Sequence, residues 1–154
     1  MLDTSDLIPF AELQSAEVIE LSRRAEQFLS KQKWCKAITD SYLGWSLSPY
    51  IGVFYFRIDP ITTQVDNEVW VIVGDLPPAY IVCDHAKNWQ QALDAYGAEM
   101  MNWVKAVREG GSVSKMIPVN VEPTLEYAEM LESRINTIWE VFVDVPPETL
   151  PTDF

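Results

Sequence analysis

Hydrophobic residues recur at the spacing of an α-helix in three stretches of the chain. The first stretch predicts a helix over residues 15–30, because apolar positions three or four residues apart fall on one face. The same pattern predicts helices over 89–108 and 124–142, and their apolar faces place Trp103 and Trp139 in the core. Each stretch begins with a residue type that favours the N-cap position, namely Ser15, Asn88 and Thr124.

Three shorter apolar runs are rich in β-branched and aromatic residues, which favours β-strands over 51–58, 69–73 and 79–83. The segments between them are short enough for hairpins, so an antiparallel meander is the simplest pairing. Apolar residues are nearly continuous along each run. This pattern predicts a sheet that is covered on much of both faces.

Residues 31–50 show no single periodicity. Helical spacing is suggested by Trp34 and Ile38, but Gly44 and Pro49 interrupt it, so no secondary structure is assigned. The segment also combines aromatic residues with three lysines, as surfaces that stack nucleic-acid bases do. A segment that covers the sheet is the simpler interpretation, because the charge of the whole chain opposes nucleic-acid binding.

The order helix, three strands, helix, helix predicts an α+β fold. We expect a three-stranded antiparallel meander, with an N-terminal helix and two C-terminal helices packed on it. The chain of 154 residues has the length of one domain, which we assign to residues 1–144. Residues 145–154 contain three prolines and are predicted to form an extended C-terminal tail.

Acidic residues outnumber basic ones strongly, with a formal net charge of −12 at pH 7. Residues 109–154 contribute most of this excess, since they hold nine acidic and two basic residues. Contacts to phosphate groups require a basic surface, so the charge opposes binding to nucleic acid or to an anionic membrane. A macromolecular partner, if there is one, is expected to be a basic protein.

The hydropathy of the chain gives no sign of export or membrane insertion. The N-terminal residues lack the basic and apolar regions of a signal peptide. No stretch approaches the roughly 18 apolar residues that a membrane-spanning helix needs. We therefore expect a cytoplasmic protein that makes no membrane contact.

The single histidine and the two cysteines limit the chemistry that the chain can perform. Zinc sites use three or four ligands, so Cys83, His85 and a distant Cys35 do not predict a metal site, and no cofactor is expected. A nucleophilic pair of Cys83 and His85 is conceivable, because alternation along a strand would put both side chains on one face. A buried strand cysteine beside a surface histidine is the simpler interpretation.

The turn between the second and third predicted strands is the most distinctive local sequence. Gly74 allows the chain to reverse, and two prolines, Pro77 and Pro78, stiffen its return. Such turns are commonly structural. The functional alternative is a preorganised rim for a partner, with Asp75 and Tyr80 as candidate contact residues.

The last predicted helix carries an acidic flank beside its apolar stripe. Glu126, Glu129 and Glu140 are candidate partner-binding residues on this flank. A solvated acidic face that maintains solubility is the more common explanation for such a pattern. The functional hypothesis is a surface that docks a basic protein and accelerates its association.

Several sequence motifs between Gly44 and Glu140 resemble those of a family of small bacterial proteins classed as a domain of unknown function. They are Gly-Val-Phe-Tyr-Phe-Arg at 52–57, Val-Gly-Asp-Leu-Pro-Pro-Ala-Tyr at 73–80, Ile-Pro-Val-Asn-Val at 117–121 and Glu-Ser-Arg at 132–134. The resemblance implies a bacterial source. It assigns no catalytic residue, because the family has no established activity.

These observations favour a non-enzymatic protein-binding module. One form of this hypothesis is an immunity-type protein, whose acidic surface neutralises a basic toxin. The alternative is a small enzyme or small-molecule binder with a pocket near Asp75, Tyr80, Asp84 and His85.

Overall fold

A five-stranded antiparallel sheet forms the centre of the molecule in a computed structural model, which describes residues 1–114, 119 and 122–143. The strands lie in the sheet in their order along the chain, so the sheet is a simple meander. Their bounds are β1 (Ile8–Pro9), β2 (Cys35–Leu47), β3 (Ile51–Pro60), β4 (Glu68–Gly74) and β5 (Ala79–Val82). The predicted α+β class and antiparallel pairing are confirmed, but the prediction of three strands understated the sheet.

The largest addition is β2, which occupies the segment that received no assignment from sequence. This strand pairs along its length with β3, and only its Tyr42 and Leu43 pair with the short β1 on its other side. Its pairing with β3 shifts register at three places. Gly44 lies at one of these shifts, and the Trp70 ring packs so close that a Cβ on Gly44 would approach it to 2.8 Å.

The three predicted helices are confirmed as α1 (Ala16–Ser30), α2 (Trp89–Arg108) and α3 (Leu125–Ile138). The last α-helix ends before the predicted residue 142, because the chain continues as a π-helix over Trp139–Val143. A short 3₁₀-helix at Phe10–Glu12 joins β1 to the segment before α1.

All three predicted N-caps accept a hydrogen bond from the backbone of their helix. The Ser15 hydroxyl, the Asn88 carbonyl oxygen and the Thr124 hydroxyl accept from amides three residues ahead, at 3.4, 2.9 and 3.2 Å respectively. The Gln91 side-chain carbonyl oxygen in turn accepts a hydrogen bond from the Lys87 amide at 2.8 Å. The first turn of α2 is therefore fixed by reciprocal side-chain and backbone bonds.

Helices cover both faces of the sheet, as the continuous apolar strands predicted. The core under α1 contains Phe54, Phe56 and Val71 from the sheet, together with Leu21 and Leu29 from the helix. The opposite faces of the same strands contribute to a second core with α2 and α3. That core includes Val53, Tyr55, Trp70, Ile72, Leu93, Met100, Trp103, Leu131 and Ile135.

The two C-terminal helices pack against each other as well as against the sheet. Arg108 of α2 pairs with Glu132 of α3, and the Trp103 ring meets Tyr127 edge-on at 6.4 Å. Trp103 is buried as predicted, whereas Trp139 is only partly buried. The Trp139 indole lies directly against Gly97, where an added Cβ would come within 2.6 Å of its nitrogen.

The predicted tail, residues 145–154, lies outside the described residues. Within the described part of the chain, none of the helices has the length and apolar character needed to cross a membrane.

Candidate functional site

The turn between β4 and β5 is hydrogen-bonded to the β2–β3 hairpin and to α1. At Gly74 the backbone has φ +147°, a conformation that favours glycine, and a Cβ there would lie 2.1 Å from the Tyr50 carbonyl oxygen. The Asp75 amide donates to that same Tyr50 carbonyl at 2.8 Å. The guanidinium of Arg24, from α1, donates to the Gly74 carbonyl at 2.8 Å. The turn is therefore tied to the β2–β3 hairpin and to α1.

Two further bonds hold the turn from the opposite face of the sheet. Arg134 of α3 donates to the carbonyl of Asp75, and the Tyr96 hydroxyl of α2 donates to the carbonyl of Pro77 at 2.6 Å. The turn is therefore hydrogen-bonded to three helices and to the adjacent hairpin. This arrangement supports the expectation of a preorganised turn.

A groove of about 350 Å³ lies between this turn, the β2–β3 hairpin and the C-terminal half of α3. We call it the hairpin groove. Its apolar residues are Leu47 and Ile51 from the hairpin, Leu76 from the turn, and Ile138 and Phe142 from the C-terminal helices.

Exposed residues border the hairpin groove at the tip of the β2–β3 hairpin and along α3. Tyr50, at the tip of the β2–β3 hairpin, is 58% exposed and lines the groove. Arg134 and Thr137 line the groove from the exposed face of α3. Met130, 43% exposed, lies one helical turn before Arg134 and extends the apolar surface along that helix.

The acidic residues predicted on α3 differ in their environment. Glu126 and Glu129 are exposed on α3, and Glu140 is exposed on the π-helix that follows it. Glu132, by contrast, pairs with Arg108 of α2. The three exposed carboxylates thus lie on the same C-terminal helical segment that forms one wall of the hairpin groove.

Two of the residues predicted around the turn line different cavities. Asp75 lines the hairpin groove, whereas Tyr80 lines a different cavity, at the other end of β4. Asp84 and His85 are exposed and belong to the wall of neither. Pro78 is exposed as well. Asp75 and Tyr80 thus line separate cavities, and the pocket expected near Asp75, Tyr80, Asp84 and His85 stays a prediction.

Cys83 and His85 do not share an accessible face, contrary to the strand alternation considered for a nucleophilic pair. The strand β5 ends at Val82, and residues 82–86 form turns in which the amides of His85 and Ala86 bond to carbonyls three residues earlier. Cys83 is buried, whereas His85 is exposed. Burial, together with the nearby Glu68 carboxylate, raises the pKa of Cys83 to about 12, so the thiol is protonated near neutral pH.

A cluster of polar side chains surrounds Glu68 near the start of β4. Tyr55 donates its hydroxyl proton to Glu68 at 2.7 Å, and the Leu2 amide donates to the same oxygen at 3.0 Å. Burial opposes the charge of Glu68, but these bonds outweigh it and lower the pKa of Glu68. The Arg57 guanidinium contacts Tyr55 and donates to the Leu2 carbonyl at 3.0 Å. The Glu68 charge is therefore already compensated within the chain.

The second cavity has a volume of about 210 Å³ and lies where β2 and β4 begin and β5 ends. We call it the Trp34 cavity. Trp34 and Tyr80 form two of its walls, with ring centroids 4.9 Å apart and planes inclined by 63°. Asp66, from the β3–β4 loop, lines the same cavity.

The described residues bring together no group of three or more histidine, cysteine, aspartate or glutamate side chains able to hold a metal ion.

Comparisons with known proteins give no match, whether with family models, curated proteins or solved structures. The resemblance to the bacterial family of unknown function therefore remains a prediction.

Sequence reasoning identified the turn but missed most of the hairpin groove. It did not select Tyr50 or Arg134 as site residues, although these define the groove's rim. The signal for Tyr50 was its position after Pro49 in a short segment between apolar runs, where aromatic side chains at hairpin tips are exposed. No sequence signal indicated that Arg134 would reach Asp75.

Proposed function

We propose that this protein is a non-enzymatic protein-binding module whose hairpin groove and neighbouring acidic residues bind a basic protein. The observation that carries the proposal is the hairpin groove itself. The groove is apolar and lies beside the exposed Tyr50. The β4–β5 turn forms part of its rim and is held by hydrogen bonds to α1, α2, α3 and the β2–β3 hairpin. A rim that is already ordered loses little conformational entropy when a partner binds.

The apolar part of the groove defines one feature of the partner. Leu47, Leu76 and Phe142 offer a surface that an apolar side chain can cover. Tyr50 presents an exposed aromatic ring beside that surface, and tyrosine is enriched among the residues that contribute most to binding energy. We expect the partner to insert an apolar side chain between the hairpin and α3.

The charges define the other feature. A partner seated in the groove meets the helical segment that presents Glu126, Glu129 and Glu140 to solvent. Lysine and arginine side chains around the partner's apolar residue would complement these carboxylates. An immunity-type protein of a bacterial cytoplasm, which neutralises a basic toxin, is the specific form that we propose.

A small-molecule binder or small enzyme is the second candidate. The volume of the hairpin groove, about 350 Å³, lies at the lower end of the range for ligand sites. The two candidates differ in the surface that they use, because a small ligand would contact the groove without engaging Glu126 and Glu129.

Photo-crosslinking from two matched positions tests the protein-binding proposal. A photoreactive phenylalanine analogue replaces Tyr50 in one variant and Ile61 in the other. Both residues are exposed apolar side chains, at 58% and 56%, but Ile61 lies beyond the end of β3, away from the groove. We expect one basic protein to be crosslinked in native cells from position 50 and not from position 61.

The purified partner then tests the role of charge. Reversing Glu126, Glu129 and Glu140 to lysine should slow its association, and raising the salt concentration should slow association to the wild type, because exposed charges are screened over roughly 10 Å at 0.1 M salt. Reversing the exposed Glu12, Asp94 and Glu99 makes the same change in net charge elsewhere. Equal effects of the two triple variants, or a partner crosslinked equally from both positions, would contradict the proposal.

A further inference from the structure

The Trp34 cavity lies at the opposite end of β4 from the hairpin groove. Val69, near the first residue of that strand, lines the Trp34 cavity, whereas Asp75, just after its last residue, lines the groove. The cavity opens on the face of the sheet that α1 covers, because Val69 belongs to the core under α1. It is therefore a site separate from the hairpin groove, with different lining residues.

Aromatic rings form two walls of this cavity. Tyr80 projects from β5 on the opposite side from its buried neighbours Ala79 and Ile81, and it is 37% exposed. Trp34 immediately precedes β2 and contacts Tyr80 edge-to-face. Rings that meet at 63° rather than in parallel leave a concave corner, which offers a ligand π-electron surface from two directions.

The carboxylate of Asp66 adds a negative charge to this corner. Asp66 is exposed, and among the described residues no basic group forms an ion pair with it. Glu68 also lines the cavity, but its charge is engaged by Tyr55, Leu2 and the amino group of Met1. Asp66 is therefore the carboxylate available to a ligand.

We propose that the Trp34 cavity binds an alkylated ammonium group, with Trp34 and Tyr80 in contact with its alkyl carbons and Asp66 facing its charge. Aromatic faces attract cations, and an alkylated ammonium loses less hydration than a small inorganic ion when it enters an aromatic site. One free carboxylate beside two rings suits a monovalent organic cation. A divalent metal ion requires more oxygen ligands than this corner supplies.

A matched pair of probes separates charge from shape. Choline carries a trimethylammonium group, and 3,3-dimethyl-1-butanol has the same shape without the charge. Each is titrated into the ¹⁵N-labelled protein and followed by heteronuclear NMR. We expect choline to shift the backbone amide signals of Trp34, Tyr80 and Asp66 saturably, and the neutral alcohol to bind about fivefold more weakly or not at all.

Variants locate the binding energy within the cavity. Tyr80→Ala and Asp66→Asn should each weaken choline binding by about fivefold. Tyr50→Ala and Asp84→Asn change an exposed tyrosine and an exposed aspartate elsewhere, and they should leave binding unchanged. Trp34→Phe keeps an aromatic wall, so it should retain binding if Trp34→Ala loses it or fails to fold.

Peptides distinguish the two sources of such a group. A peptide with trimethyllysine that binds more tightly than choline identifies a protein-borne cation, whereas a peptide that binds more weakly identifies a free small molecule. Unmodified lysine in the same peptide should bind more weakly than trimethyllysine, because its ammonium is more strongly hydrated. Equal binding of choline and its neutral analogue, or no saturable shift at the cavity, would overturn the proposal.

Discussion

Arg24 and Arg134 approach one turn from opposite faces of the sheet, and their guanidinium groups donate to the carbonyl oxygens of consecutive residues. Arg24 extends from α1 to Gly74, and Arg134 extends from α3 to Asp75. The two helical layers are separated by the sheet, so this turn is a place where both contact the same short piece of backbone. The position of the hairpin groove's rim therefore depends on both layers.

Arg24→Ala is expected to lower the free energy of unfolding by about 1 kcal/mol, because a charged donor to a backbone carbonyl is lost from a partly exposed site. Arg23→Ala is the matched control. Arg23 is the adjacent residue, and its ion pair with Glu20 is exposed on both sides, so its loss should cost less than about 0.5 kcal/mol. Chemical denaturation measures both, and equal losses would contradict the role given to Arg24.

Gly74→Ala is expected to destabilise the protein by about 3 kcal/mol or to prevent folding. The substitution combines a strained φ with a Cβ placed 2.1 Å from the Tyr50 carbonyl oxygen. Gly111→Ala provides the comparison, since a Cβ there lies 3.5 Å from its nearest neighbour, an ordinary contact. Thermal and chemical unfolding of the two variants should therefore differ clearly, and a fully stable Gly74→Ala protein would contradict this geometry of the turn.

Trp103→Ala should lower the free energy of unfolding by roughly 3–5 kcal/mol, because it removes a fully buried ring from the core shared by α2 and α3. Trp139→Ala should cost less, since its indole is only partly buried. Urea denaturation of the two variants tests the order. A larger loss for Trp139 than for Trp103 would show that the π-helix, rather than α2, supports this part of the core.

Cys83 is expected to resist alkylation in the folded protein and to destabilise the fold at high pH. Its pKa is about 12 in the folded state and near 9 when unfolded. Between these values the unfolded thiol releases its proton and the folded one retains it, so stability falls as the pH rises through this window. Iodoacetamide mapping by mass spectrometry, in a Cys35→Ser background, measures the first effect.

The free energy of unfolding, measured as a function of pH, tests the second effect, which is the destabilisation at high pH. A Cys83→Ser variant has no thiol to ionise, so its stability should fall less steeply than that of the wild type between about pH 9 and 12. Rapid labelling of native Cys83 at pH 8, or identical slopes for the two proteins, would show that the thiol is not held in its protonated form.

The helices were predictable because their signals are local. The capping residues Ser15, Asn88 and Thr124 mark their starts, and the apolar stripes need only the helical period to be recognised. The strand β2 was not predictable in this way. Each of its register shifts moves the following side chains relative to the sheet, which destroys the alternation by which a strand is recognised in sequence.

Gly44 illustrates how a long-range contact reverses a local signal. In the sequence it suggested an interruption of regular structure. In the fold it lies inside β2, where the absence of a side chain admits the ring of Trp70 from β4. Trp70 lies 26 residues after Gly44 in the chain, so local sequence patterns do not indicate this contact.

The candidate site was likewise predictable only where its features depend on residues close together in the sequence. The stiffness of the turn was expected from Gly74 and its two prolines, which act within a few residues. The hairpin groove was not expected, because its walls come from three segments that meet only in the folded chain. The acidic flank of α3 was expected in outline, yet the pairing of Glu132 with Arg108 depends on the approach of α2.

The irregular pairing of β2 bears on whether another chain can add a strand to the edge of this sheet. Among the described residues, β1 covers only two residues of the strand's outer side, so within that part of the chain much of this long strand forms an open edge. A flat open edge is a template on which other chains can add strands and aggregate. Three register shifts make this strand irregular, and Lys36 and Asp40 are exposed charged residues along it. We therefore expect the same irregularities that obscure this strand in the sequence to disfavour the addition of another strand at its edge.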